Sequence, residues 1–292
     1  PAGTIYYAAN PDVRSTTREP LFAAAIDAIK AEGVAAERVE GVLPVGKPDV
    51  AGLMFGIDRF DWSSRPLRPV DNVTSLPLDR TTLAQSLKAA GYATAMFGKW
   101  HLGERDEYHP GKRGFDEAIT SSGQHFDFST NPQTEVPEGQ YLADFLTDRA
   151  EDFIRRKKDA PFFLYLPHFG VHSPYQAKPG LIQRFEGKAP AGGHHDPVYA
   201  AMIASVDDSV GRIMKLLGEL GIAEKTVLVF ASDNGGVGGY EREGLKNGGD
   251  VTDNAPLRSG KGSLYEGGTR VPLIVRWPGV VAAGGVCAGG QA

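Results

Sequence analysis

At 292 residues the chain is long enough to bury a substantial core, as one large α/β domain or two smaller ones. Its 41% hydrophobic and 23% charged content is that of an ordinary globular protein, and a formal charge of −5 excludes a broad basic footprint for nucleic acid, though not a local basic pocket. A lone cysteine, Cys287, excludes an intrachain disulfide and a cysteine-rich zinc site, and no run of about 18 apolar residues is present to span a membrane.

Thr4 to Ala9 reads as a first strand, interrupted by Asn10-Pro11. The first residues lack the basic-then-apolar order of a signal peptide, so the expectation is either no leader or a processed chain. Leu21, Ala25 and Ile29 have helical spacing over Leu21 to Glu32, with Gly33 as the stop. Pro44, Gly46 and Pro48 mark a loop before the short apolar segment Ala51 to Phe55. Thr81 to Ala90 reads as an amphipathic helix with Leu83 and Leu87 on its apolar face, followed by a strand over Tyr92 to Phe97. A second helix and strand follow at Tyr141 to Arg156 and Pro161 to Leu166. The strongest helical pattern, Val198 to Leu220, carries Met202, Val206, Ile213, Leu216 and Leu217, with Gly221 as its cap. Val227 to Ala231 is a continuous apolar run of the kind buried on both faces of a parallel sheet. Val271 to Trp277 reads as the last strand. Helices alternating with strands predict an α/β fold, a layered sheet with helices on both faces. No repeat, low-complexity segment or interdomain linker is visible.

The chemistry-bearing side chains fall where these strands end. Lys99 and His101 follow one strand, His172 follows another, and Asp233 with Asn234 follow a third. Lys261 lies in the glycine-punctuated loop Gly260 to Gly268, just before the last strand. Ligands in open α/β sheets sit beyond the carboxyl ends of the strands. A carboxylate beside an amide oxygen suits a hard divalent cation, although Asp-Asn-Gly-Gly is equally the composition of a plain turn. Two lysines and two histidines converging beside such a cation would hold a compact, multiply charged anion. Singly, each has an ordinary explanation as a surface or packing residue. His168 fits a packed or capping role, and His194-His195 sits in a loop that reads as solvated.

Gly91 to Gly103, containing Gly98-Lys99-Trp100-His101-Leu102-Gly103, resembles the second signature of the type I (arylsulfatase-like) sulfatases of the alkaline phosphatase superfamily. Phe230 to Gly236 resembles that family's metal-binding strand end, and Leu257 to Pro272 its late lysine loop. Pro161 to Leu166, through His172-Ser173-Pro174, fits the strand and histidine between them, so the resemblance spans nearly the whole chain in the family's order. It implies an alkaline-phosphatase-like αβα sandwich around a large, mostly parallel sheet. Residues 1–292 would form one sulfatase-like α/β domain, ending before the family's smaller C-terminal region. It also implies one divalent cation, usually Ca²⁺, and hydrolysis of a small-molecule or carbohydrate sulfate ester by a hydrated formylglycine made from cysteine. Carried over by position, Asp233 and Asn234 are metal ligands. Lys99, His101 and Lys261 bind sulfate or the formylglycine diol, and His172 contacts sulfate near the leaving oxygen. Members of the family are commonly periplasmic, secreted or lysosomal; the sequence itself fixes neither compartment nor oligomeric state.

The first third departs from the pattern. Gly46 to Gly56 fits the frame of the family's nucleophile motif without a gap, with Gly46 at the cysteine position and Val50 at the arginine position. Glycine has no side chain to oxidise, so no formylglycine forms at Gly46. The two aspartates expected after the first strand fall at Asn10, which offers one neutral oxygen, and Pro11, which offers none through its side chain. Three readings follow: a sulfatase whose written sequence is imperfect in this stretch, a pseudosulfatase that binds sulfated or phosphorylated ligands without turnover, or a metal-dependent hydrolase using another nucleophile or an activated water. Near the nucleophile position only Lys47 and Asp49 carry polar side chains for the third reading.

Overall fold

The computed structural model describes residues 74–238 and 251–286. Those up to 282 belong to one compact unit, Phe55–Ala282, and the fold below is that of this unit. The expected strand at Thr4 to Ala9, the helix at Leu21 to Glu32, the segment Ala51 to Phe55, and Asn10, Pro11, Gly46, Lys47, Asp49, Val50 and Cys287 all lie outside the described residues.

The centre is a three-stranded parallel sheet in the order β2-β1-β3, with β1 Ala93–Gly98, β2 Glu117–Thr120 and β3 Phe162–Tyr165. Ala95 of β1 faces Glu117 in one ladder and Leu164 in the other. Alternation along β1 builds two cores, because successive side chains of a strand point to opposite faces. Ala95 and Phe97 join the main cluster with Leu146, Ala150, Phe153, Leu216 and Leu217. Met96 points the other way, to Ala84 and Phe115. Thr94 is buried but satisfied, its hydroxyl donating to Gly114 O at 2.8 Å.

Helix α1, Leu83–Ala89, opens with a capping box: Gln85 N donates to Thr82 Oγ1, and Thr82 N donates to Gln85 Oε1. Its buried residue is Ala84, whereas Leu83 is 64% exposed, so the apolar face is turned one residue from the expected one. A seven-residue helix carries too few apolar side chains to fix its own rotation; the close packing of Gly114 on Ala84 and Gln85 fixes it instead. Helix α2, Leu142–Lys157, presents Leu142, Phe145, Leu146, Phe153 and Ile154 to the sheet. After the short α3, Pro179–Phe185, helix α4, Pro197–Glu219, starts on Asp196, which accepts hydrogen bonds from Val198 N and Tyr199 N. Met202, Ile213, Leu216 and Leu217 are buried as the periodicity predicts. Polar contacts fix α2 against α4: Thr147 Oγ1 lies 2.6 Å from Ser209 Oγ, and Arg212 reaches both Asp148 and Glu151.

The Val227 to Ala231 expectation needs correction. Strand β4, Leu228–Ala231, runs antiparallel to β5, Leu273–Arg276, and its side chains alternate between half-buried and exposed, Val229 being 58% exposed. An unbroken apolar run specifies a strand but not the direction or number of its neighbours. Strand β2 and helix α3 were not expected; β2 is four residues of mixed character, too short for periodicity to register.

Candidate active site

The β1 exit is tied down on both sides. Lys99 N donates to Pro167 O at 2.8 Å, beyond β3, and Ser121 N donates to Gly98 O at 3.0 Å, beyond β2. Gly98 has φ +140°, and a Cβ there would overlap the Pro167 carbonyl, so only glycine allows the strands to exit this close together. The half-buried Lys99 side chain carries its Nζ to 5.5 Å from the centre of the Phe169 ring. Burial, then the positive charge of Lys261, lowers the Lys99 amine pKa, while the Asp233 carboxylate partly offsets both. Three groups from three separate loops thus share one electrostatic neighbourhood. Asp233 also acts on Tyr165 at the end of β3, whose phenol is held above its usual range by burial and then by this carboxylate.

His172 packs on the same aromatic ring as Lys99. Its imidazole stacks on Phe169 at 5.1 Å, and its backbone N donates to Phe169 O at 2.9 Å. Its Nδ1 lies 2.7 Å from Ser173 O; a carbonyl only accepts, so Nδ1 carries the proton and Nε2 is the other ring nitrogen, bare when the ring is neutral. Behind it stands buried His125, whose Nε2 donates to His172 O at 2.8 Å and whose ring lies 4.9 Å from Phe169. Burial lowers the His125 pKa, which keeps this support neutral. His101 is exposed and makes no hydrogen bond among the described residues; the neighbouring Trp100 Nε1 donates to Tyr108 O at 2.8 Å.

The Asp233 turn and the Lys261 loop are built as one piece. Ser232 Oγ donates to Asn234 O at 2.7 Å, and the Asn234 amide nitrogen donates to Gly235 O at 3.0 Å, leaving its oxygen as the ligand-capable end. Gly235 N donates to Gly268 O and Lys261 N to Gly236 O, both at 3.0 Å. Asp233 is exposed and Lys261 half-buried.

The structure therefore brings together Lys99, Lys261 and Asp233, with His172 against the same Phe169, and keeps His101 on the Lys99 loop. Strand β4 is not paired with β1 or β3 among the described strands, so Asp233 does not follow a parallel neighbour of the strand that precedes Lys99. His168 stands apart: its Nε2 lies 2.9 Å from Ser209 Oγ, and burial holds its pKa down at about 4. His194 is exposed but not merely solvated, since its Nδ1 lies 2.5 Å from Thr252 Oγ1. Phe169, His125 and Asn254 escaped sequence reasoning, none sitting in a periodic position that could have marked it; Tyr165 lies in the strand expected over Pro161 to Leu166 but was not singled out.

As metal ligands, Asp233 and Asn234 supply one carboxylate and one amide oxygen. Among the described residues no group of three or more His, Cys, Asp or Glu could hold a metal ion. Two oxygens fall short of the roughly six to eight that Ca²⁺ takes, so the described residues furnish only part of a cation shell.

The sulfatase family profile matches residues 9–288 of the chain. The chain belongs to the sulfatase family. It is 33% identical to N-acetylgalactosamine-6-sulfatase of Homo sapiens over 89% of this chain and 53% of that protein. It is 31% identical to arylsulfatase J of Mus musculus over 90% and 45%. Against N-acetylgalactosamine-6-O-sulfatase of Bacteroides thetaiotaomicron it is 27% identical, over 88% and 63%. The fold resembles the crystal structure of Ps i-CgsB in complex with k-i-k-neocarrahexaose, with a TM-score of 0.62, 32% identity, and coverage of 74% of this chain and 51% of that one. The sulfatase-like α/β fold expected from the sequence is thereby shown. The chain spans about half the length of the curated relatives it matches. No helix among the described residues is long and apolar enough to cross a membrane.

Proposed function

We propose that this sulfatase-family chain binds the sulfate group of a sulfated carbohydrate or other small sulfate ester at the mouth formed by Lys99, His101, His172 and Lys261. What carries this reading is that Lys261 and Asp233, from loops far apart in sequence, both act electrostatically on the Lys99 amine. Two ammonium groups held together cost Coulomb energy, which a bound dianion relieves. His172 supports the leaving oxygen from one side, its orientation held by Ser173, Phe169 and His125. A divalent cation, Ca²⁺ foremost, would sit on Asp233 and Asn234, where it would add positive charge beside the sulfate oxygens. The name of the N-acetylgalactosamine-6-sulfatase relatives and the oligosaccharide in the Ps i-CgsB complex support a carbohydrate as the alcohol portion.

The family hydrolyses sulfate esters, but covalent hydrolysis needs a nucleophile, and Gly46 supplies none. The chain as written therefore binds sulfate weakly and leaves an aryl sulfate intact, which is the pseudosulfatase reading. The competing reading, full hydrolysis, is favoured by the 33% identity to a sulfatase. The test is to assay the purified chain with an aryl sulfate while measuring sulfate binding by calorimetry, with peptide mass analysis across Leu43 to Gly56. Sulfate binding that weakens in Lys261→Ala, without turnover, supports the proposal. Robust turnover abolished by Lys261→Ala overturns the inactive reading.

A further inference from the structure

The turn that bears Asp233 and the loop that bears Lys261 meet around a single side-chain amide, that of Asn254. Its Oδ1 accepts from Gly236 N at 3.0 Å, while its Nδ2 donates to Gly236 O and to Ser259 O, each at 3.0 Å. Gly236 is three residues after Asp233, and Ser259 is two before Lys261. The backbone around the amide is too close for side chains. A Cβ on Gly260 would overlap the Gly236 and Gly238 carbonyls and approach Asn254 Nδ2, and one on Gly236 would press into Thr252. Across this seam Lys261 N donates to Gly236 O at 3.0 Å, and Gly238 bridges to Thr252.

From this geometry we infer that Asn254 is a positioning residue, whose amide fixes the separation between the Asp233 turn and Lys261 and so sets the anion site. The chemistry requires an amide. One end must accept from an N–H and the other must donate to two carbonyls, and of the short side chains only asparagine carries both. Aspartate would keep the bond from Gly236 N but place lone pairs against Gly236 O and Ser259 O. The inference rests on the proposed sulfate site for its functional half; its structural half is independent of it.

The experiment compares the full chain with Asn254→Ala and Asn254→Asp. Amide hydrogen exchange is followed at Gly236 and Lys261, inorganic sulfate affinity is measured by calorimetry, and thermal melting controls for folding. Loss of the amide should speed exchange at Lys261 N–H, which shares its acceptor Gly236 O with the Asn254 amide, by roughly tenfold, and weaken sulfate by a similar factor at temperatures where the variants remain folded. The aspartate variant should protect Gly236 N–H better than alanine does, yet fail to restore sulfate affinity. Faster exchange at Gly236 alone, with Lys261 N–H unmoved, would overturn the inference, as would sulfate affinity equal to the parent's in folded variants. If the parent chain binds no sulfate, the functional proposal fails, while exchange at Lys261 still decides whether Asn254 couples the two loops.

Discussion

Lys99 is ordinary in sequence and unusual in place. Its amine is held by burial and by Lys261 below the usual lysine range, so anion binding that depends on its charge should be lost on the alkaline side before pH 10.5. Removing its neighbour by Lys261→Ala should lower sulfate affinity roughly tenfold or more, the scale of a hydrogen bond to a charged group, measured by calorimetry at neutral pH. His168 makes a different prediction. Burial depresses its folded pKa to about 4, below the usual histidine value of 6.5, with Asp144 opposing the shift. Between these values the unfolded chain takes up the proton and the folded chain does not. The contribution is complete above pH 6.5 and is lost as pH falls through about 4. Melting curves across that window should flatten in His168→Gln, whose amide can still reach Ser209; an unchanged slope would exclude His168 as the source. Lys99, Asp233 and His172 stood out in the sequence because they follow predicted strands, and Lys261 because it lies in a glycine-punctuated loop. His125 and Asn254 did not, because their work is done through hydrogen bonds to backbone far along the chain, to His172 O and to Gly236 and Ser259.

Helix α4 owes its start to Asp196 and Pro197 and its place to the stripe from Met202 to Leu217. Asp196→Ala removes the acceptor for two backbone N–H groups and should cost about 1 kcal/mol, read as a lower denaturant midpoint with unchanged slope. Long helices such as α2 and α4 were readable because their periodicity runs through several turns. Strand β4 was readable as a strand but not as an antiparallel partner of β5, since apolar residues report burial and not strand direction. The short α1, read as Thr81 to Ala90 and observed as Leu83–Ala89, was legible in place but not in rotation, which Ala84 and Gly114 settle by contact.

Across the unit as a whole, stability and site share one scaffold. Phe153 is fully buried, sits edge-on to Phe97 at 6.3 Å, and anchors α2 beneath the strand that leads into Lys99. Phe153→Ala should cost about 3–5 kcal/mol and take anion binding with it, measured by chemical denaturation and calorimetry on the same preparation. The central claim, that loops remote in sequence place Lys99, Lys261 and Asp233 together, is tested most directly by the Lys99 amine titration followed by NMR in the parent, Lys261→Ala and Asp233→Asn. Removing the lysine should raise the Lys99 pKa and removing the carboxylate should lower it. A titration that neither substitution moves would contradict the shared site.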